Sequence, residues 1–141
     1  INGILAGLVA ITAGCNVVGP VSAIIIGLFA GILVDLAVIC IDKLKVDDPV
    51  GAIAVHGING LFGTIAVGLF ASEGGLFFGG GVSFLTTQVT GVLAIATFSF
   101  TFTFIIMIIM EKVVGVRISR EEEIAGIDSV SFGLESYSTY E

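Results

Sequence analysis

The sequence has little charge, and the charge that it has is confined to a few places. Only 12% of its 141 residues are Asp, Glu, Lys or Arg, which is about half the fraction found in ordinary soluble domains. No charged residue occurs from Ile1 to Val34 or from Gly74 to Met110. With 56% hydrophobic residues and a mean hydropathy of +1.15, such a chain lacks the polar residues for a solvated surface. We therefore expect an integral membrane protein.

Basic residues, histidine and cysteine are also scarce, and each shortage excludes a class of function. The five Lys and Arg residues form no basic stripe that could follow phosphates, so nucleic acid is not expected as a partner. One histidine and two distant cysteines cannot assemble a metal site. No nucleophile–base pair is evident, so we predict neither a cofactor nor enzymatic activity. Cys15 and Cys40 lie near opposite ends of consecutive apolar runs, too far apart to pair.

The apolar residues form four long runs, at about 1–18, 20–41, 50–71 and 82–110. A helix needs about 20 residues to cross a hydrocarbon core of about 30 Å, so each run is a candidate span. Residues 98–104 alternate Phe with Ser or Thr, as a strand would, but an isolated strand in lipid leaves its backbone unpaired. The sequence therefore predicts an all-α membrane fold with four transmembrane helices in residues 1–110 and a tail at 111–141.

The basic residues indicate the orientation of these spans. Lys43 and Lys45 lie between the second and third runs, and Lys112, Arg117 and Arg120 follow the fourth. With four crossings, both places are on one side of the membrane. The positive-inside rule makes that side cytoplasmic. We predict a multi-pass protein of the cell membrane with a cytoplasmic C-terminus.

His56 is the only histidine, and it lies inside the third run. At about 100° per residue, its helix face is shared by small or polar residues and one valine. These are Ala52, Asn59, Gly60, Gly63 and Val67. A neutral imidazole offers one donor and one acceptor, which suits the relay of a small polar solute or a proton. From the residues alone, a conducting histidine and a structural histidine bonded to a neighbouring helix are equally open.

Other polar and small residues in the runs favour helix packing. Thr12 and Asn16 share a face of the first run and could bond to a neighbouring helix, and Asp35 could reach the membrane interface. Glycines with small-xxx-small spacing, or recurring along the third run, predict close helix contacts. They are Gly3 and Gly7, Gly27 and Gly31, and Gly57, Gly60 and Gly63.

Two helix starts can be read from the sequence. Asp48 is predicted to cap the third span, with Pro49 at its first helical position. In the tail, Ser119 and Glu122 have the spacing of a capping box, and Gly126 is a stop signal. We expect a short helix at about 120–125.

Several segments resemble, in chain order, parts of the Amt/Mep ammonium transporters. Asn2–Cys15 resembles their eighth membrane helix, and Lys43–Ala52 followed by Val55–Gly57 resembles the entry to their tenth helix. The Val-His-Gly sequence is closer to the Amt branch than to the Rh branch. Further matches follow at Gly68–Ala71, at Gly79–Gly81, and at Gly115–Ser119 with Glu121–Glu123.

The resemblance implies that the chain is the C-terminal part of an eleven-helix subunit, in a homotrimer whose subunits each contain a narrow hydrophobic pore. His56 takes the position of the second of two pore histidines, which would desolvate or deprotonate ammonium and guide ammonia. Ala52, Asn59, Gly60 and Thr12 are then pore-lining candidates. The chain begins inside an apolar run without Met, so we expect preceding helices to complete the pore.

For the tail, the resemblance implies docking on a neighbouring subunit and regulation by a PII-type signalling protein. The residues expected to make these contacts are Arg117, Ser119, Glu122, Gly126 and Asp128. An ammonium sensor that signals through the tail is the main alternative to a transporter. An unrelated subunit of a larger membrane complex is a weaker one, because the Asp-Asp-Pro and Val-His-Gly spacing argues against it.

Overall fold

The structure is a computed structural model, and it describes residues 1–133. The chain divides into two compact units, Ile1–Phe98 and Ser99–Glu141. Its helices, in chain order, are α1 (Asn2–Thr12), α2 (Pro20–Lys43), a π-helix (Ala52–Ile58) continued by α3 (Asn59–Phe70), a 3₁₀ turn (Leu76–Phe78), α4 (Val82–Val113), α5 (Arg120–Ala125) and a second π-helix (Asp128–Phe132). Within the described residues there is no strand, so the predicted all-α fold is confirmed.

Three helical stretches in residues 1–133 are long and apolar enough to cross a membrane: α2, the π-helix with α3, and α4. Helix α1 has 11 residues, about 16 Å of helix, and is shorter than the predicted run of 1–18 because turns follow it as far as Val17. Helix α4 has 32 residues, about 48 Å. It includes residues 98–104, so the helical prediction for the alternating Phe segment is confirmed.

The first unit is held together by small side chains. Helix α1 packs against both α2 and α3, and alanines and valines dominate the buried core. Its residues include Ala6, Ala10, Ala30, Val34, Ala54, Val55 and Ala66. Such residues let helix backbones approach closely, which is how membrane helices gain packing contacts.

The glycines differ in how closely they approach a neighbour. A Cβ on Gly63 would lie 2.8 Å from the Cα of Ala10, and one on Gly7 would lie 3.8 Å from the Cα of Gly27. At these two positions α3 and α2 pack against the backbone of α1. By contrast, a Cβ on Gly3, Gly27 or Gly31 would meet nothing within 4 Å.

The start of the third span differs from the prediction at Pro49. The helix begins at Ala52 with Gly51 as its N-cap residue, so Pro49 is not its first helical residue. A turn intervenes, in which the Gly51 N–H donates to the carbonyl of Asp48 at 3.0 Å. Gly51 adopts a φ of +72°, a conformation that glycine permits at little cost. Asp48 still caps the helix, because its carboxylate accepts from the N–H groups of Ile53 and Ala54 at 3.0 and 3.1 Å.

In the second unit, α5 occupies the predicted range and has the predicted capping box. The Ser119 hydroxyl accepts from the Glu122 N–H at 3.2 Å, and the Glu122 carboxylate accepts from the Ser119 N–H at 2.9 Å. Gly126 ends the helix with a φ of +87°. The prediction of a short helix at 120–125 is confirmed, while tail residues 134–141 lie outside the described range.

Candidate functional site

His56 lies within the π-helix that opens the third span. A π-helix pairs N–H groups with carbonyls five residues back, so its turns are wider than those of an α-helix. Asp48 fixes the beginning of the segment through its two hydrogen bonds. The imidazole is therefore placed by a capped and locally widened helix. Segments of this kind occur frequently at functional sites.

Two open cavities meet at His56. The first has a volume of about 470 Å³ and lies between the π-helix with α3 and the first part of α4. The second, of about 400 Å³, lies between α1 and the same face of the third span. Three residues line both cavities, and they follow one another at four-residue intervals: His56, Gly60 and Thr64. We call these three residues the histidine stripe.

The other lining residues are apolar, with one exception. On the α4 side they are Gly57, Leu61, Gly91, Val92, Ile95 and Ala96, and on the α1 side they are Val9, Thr12 and Ala13. No charged side chain lines either cavity. An ion entering them would lose its hydration without gaining a counter-ion, which is costly in a low-dielectric site.

The hydroxyl groups in these cavities are oriented by their own helices. Thr64 Oγ1 donates to the carbonyl of Gly60 at 3.0 Å, and Thr12 Oγ1 donates to the carbonyl of Leu8 at 2.7 Å. Because both hydroxyl protons are used inside the helices, the lone pairs of the two oxygens remain as acceptors. His56 adds one acceptor when it is neutral. The polar groups are therefore suited to a small solute that carries N–H donors.

The structure brings together some of the predicted site residues and separates others. His56, Gly60 and Thr12 line the α1-side cavity together. Ala52 and Asn59 line neither cavity, and Asn59 is fully buried. A regular 100° per residue does not describe the wide turns between Ala52 and Ile58, so the face predicted for these two residues does not apply. Asp35 also lies outside both cavities.

Thr64 was missed by the sequence analysis, as were the α4 residues of the first cavity. Thr64 lies eight residues after His56, and a search at spacings of four and eight residues would have found it. The α4 residues carried no such signal, since Gly91, Val92, Ile95 and Ala96 are ordinary residues of an apolar run. These residues line the cavity because of how α4 packs against the third span. The spacing of residues within one helix does not predict such packing.

No metal site is evident in residues 1–133, where no group of three His, Cys, Asp or Glu side chains comes together. Cys15 and Cys40 are both free and exposed. A polar cavity of about 470 Å³ lies at the loops after α1 and α3, where Ser72 N–H donates to the carbonyl of Val17 at 2.8 Å. It is lined by Asn16, Val17, Val18, Ser72 and Glu73.

Comparison with known proteins identifies the family of this chain. The model of the Ammonium Transporter Family matches residues 1–137. The chain belongs to the ammonium transporter family. Ammonium transporter family members are transporters and not enzymes, and the chain is accordingly part of a multi-pass membrane protein.

Individual relatives agree with this membership. An ammonium transporter of Mycobacterium tuberculosis is 36% identical over 96% of the chain, and ammonium transporter Amt2 of Archaeoglobus fulgidus is 36% identical over 99%. Ammonium transporter 1 member 1 of Arabidopsis thaliana is 35% identical over 99%. The matches cover 31%, 32% and 31% of these relatives. The chain thus spans about a third of the length of the relatives that it matches.

Proposed function

We propose that the full-length protein conducts ammonium or ammonia across the cell membrane, and that the histidine stripe lines its pore. The observation that carries the proposal is the shared lining of the two cavities by His56, Gly60 and Thr64, in a chain of the ammonium transporter family. The helices that precede this chain complete the pore. The subunits form a homotrimer, with the tail on the cytoplasmic side.

The chemistry of the cavities supports the release of a proton from ammonium before passage. Apolar walls disfavour the charged ion and favour neutral ammonia. Ammonia carries N–H donors and one lone pair. Neutral His56 can accept from one of its N–H groups or donate to its lone pair, while the oxygens of Thr12 and Thr64 accept further N–H groups. A path of this kind stabilises ammonia without holding a cation tightly.

The first prediction concerns His56→Ala in the full-length protein. Removal of the imidazole deletes a polar group that lines both cavities and can exchange hydrogen bonds with the solute. We expect ammonium uptake into proteoliposomes to fall at least about tenfold, which corresponds to about 1.4 kcal/mol in the barrier, or to continue with its ion selectivity lost. Unchanged uptake together with unchanged selectivity would contradict the assignment. Thr90→Val is a control on the exposed face of α4, where only a bond to the Thr86 carbonyl is removed.

A sensor that reports ammonium through its tail is the second proposal. It is favoured by the defined conformation of the tail, in which Glu111 Oε2 accepts from the N–H groups of Val116 and Arg117 at 3.0 Å and Arg117 pairs with Glu123 at 3.2 Å. Such a tail could present a fixed surface to a PII-type protein or to a neighbouring subunit. Deletion of residues 117–141 separates the two proposals, because a sensor loses signalling and keeps uptake.

A further inference from the structure

Helix α2 has one buried face and one exposed face. The buried face packs against α1, the first π-helix and α3. Its residues recur every three or four positions, as one side of a helix requires, and they are Ser22, Ile26, Ala30, Val34, Ala37 and Ile41. The opposite face carries large aliphatic side chains that are 49–72% exposed, namely Val21, Ile24, Leu28, Ile32 and Ile39. No element of the first unit covers this second face.

Asp35 lies on the exposed face. At about 100° per residue it is within about 60° of all five aliphatic residues, and its side chain is also exposed. We call this side of α2 the Asp35 face. Among the described residues, the carboxylate makes no hydrogen bond or ion pair.

The carboxylate is well inside the span. Helix α2 has 24 residues, about 36 Å, and its end at Lys43 is about 12 Å further along the helix axis than Asp35. A hydrocarbon core of about 30 Å centred on α2 places Asp35 about 9 Å inside the lipid. An aspartate side chain is too short to reach the interface from that depth.

Lipid alone is a poor cover for the Asp35 face. Acidic side chains in membrane spans are costly against lipid, and they face the protein interior, a partner group or water instead. The aliphatic neighbours of Asp35 do not form a water-filled path, and Asp35 lines neither of the cavities at His56. We therefore expect protein to cover this face.

The charge of Asp35 defines the chemistry of that cover. An ionised carboxylate only accepts hydrogen bonds, so N–H donors that carry positive charge are its complement. All five Lys and Arg residues of this chain lie outside its four apolar runs. A second copy of the chain therefore offers no Lys or Arg at the depth of Asp35. The chain covers only 31% of its Mycobacterium tuberculosis relative, so a longer protein has the length to supply another helix.

We propose that the Asp35 face is an interface with another membrane helix of the same protein, outside this 141-residue segment. That helix carries a Lys, Arg or His side chain, which forms an ion pair with Asp35 within the membrane. The aliphatic residues of the face pack against the helix, and the ion pair determines where along α2 it docks. The inference does not depend on the proposed function, because it concerns the assembly of helices and not transport.

A cryo-electron microscopy map of the wild-type full-length protein tests the pairing. We expect a side-chain nitrogen of Lys, Arg or His within about 4 Å of the Asp35 carboxylate, on a helix outside this segment. A carboxylate that faces lipid or water, or that meets only hydroxyl and amide groups, overturns the proposal. The map requires no variant, so the test does not depend on whether a variant folds.

Asp35→Asn in the full-length protein tests whether the pair holds the helices together, with Asp42→Asn as its matched control. Asp42 lies on the same side of α2, but it is next to the last residue of the helix. Removing one member of a buried pair leaves the other charge uncompensated. We therefore expect Asp35→Asn to lower the melting temperature by at least about 3 °C, and Asp42→Asn to leave it unchanged or higher. Equal melting temperatures for the two variants overturn the proposal.

A double variant completes the test. Replacing the basic partner by Met in the Asp35→Asn protein leaves neither charge unpaired. We expect this double variant to recover most of the melting temperature that Asp35→Asn loses, as coupled residues do in a double-mutant cycle. A double variant that recovers none of it overturns the proposal, because the two side chains are then independent.

Discussion

At the scale of single residues, the absence of a side chain is as informative as the presence of one. Gly63 of α3 faces the backbone of α1 so closely that a Cβ would lie 2.8 Å from the Cα of Ala10. Real Cβ atoms do not approach other atoms to this distance, so the helices would have to move apart. The glycine is therefore required by the close packing of α3 against α1.

Gly63→Ala tests this contact, with Gly31→Ala as its matched control. Overpacking a tight core contact costs about 1–3 kcal/mol, so we expect a lower melting temperature for the full-length protein. Gly31 is also in a helix but would meet nothing within 4 Å. Its replacement gains helix propensity worth up to about 1 kcal/mol, so the melting temperature should be unchanged or higher. Thermal unfolding followed by far-UV circular dichroism compares the two. Equal melting temperatures would show that α1 and α3 are not in this contact.

The residue scale also shows why the sequence predicts a role for His56 and assigns to its face two residues that line neither cavity. His56 is singled out by its uniqueness within an apolar run, a property that requires no geometry. Ala52 and Asn59 were assigned to its face by a regular helical period, and the π-helix changes that period between them. No residue type between Ala52 and Ile58 predicts a wide turn. The wide turns are seen only in the backbone of the structure, which forms a π-helix there.

At the scale of secondary-structure elements, local chemistry predicted the tail helix better than the helix that carries His56. The capping box at Ser119 and Glu122 and the stop at Gly126 determined α5 to within a residue. Every interaction that defines this helix lies within a few positions along the chain. The start of the third span depends instead on a turn at residues 48–51 whose glycine takes a left-handed conformation, so Pro49 was placed in the helix too early.

The capping box makes a prediction about the pH dependence of α5. The hydrogen bond from the Ser119 backbone N–H, aided by the Ser119 side chain, holds the pKa of the Glu122 carboxyl below its ordinary value of 4.5. A lowered pKa means that the charged carboxylate stabilises the helix at and above pH 4.5, and that this contribution is lost as the pH falls through the lowered value. Hydrogen exchange of residues 120–125 should therefore show protection that is constant above pH 4.5 and declines in more acidic buffer.

Glu122→Gln and Glu121→Gln separate this effect from the general titration of the tail. Glu121 lies in the same first turn but is not part of the capping box. Its replacement by Gln removes the same negative charge as the Glu122 variant does. We expect the Glu122 variant to lose the acid-dependent change in protection and the Glu121 variant to keep it. The same acid dependence in both variants would show that the capping box does not control the helix.

At the scale of the whole molecule, composition and motif order were sufficient for the fold class and the family. The uncharged stretches required a membrane, and the ordered motifs from Asn2 to Glu123 indicated the ammonium transporters, to which the chain belongs. The cavities could not be predicted from the sequence, because they form between helices. The contribution of α4 to the first cavity depends on contacts between residues about thirty positions apart in sequence.

For the molecule as a whole, the central claim is that ammonium or ammonia passes along the histidine stripe. Reactive cysteines test it directly. In full-length protein with its native cysteines replaced by Ser, Thr64→Cys puts a thiol on the stripe, between the two cavities. Thr90→Cys puts the same group on α4 at a position that lines neither cavity.

The measurement is ammonium uptake by proteoliposomes before and after treatment with methyl methanethiosulfonate, a small neutral thiol reagent. We predict that the reagent blocks uptake through the Thr64→Cys protein, that ammonium slows the modification, and that the Thr90→Cys protein is unaffected. If mass spectrometry shows that Thr64→Cys is fully modified while uptake continues at its original rate, the stripe does not line the path and the account is contradicted.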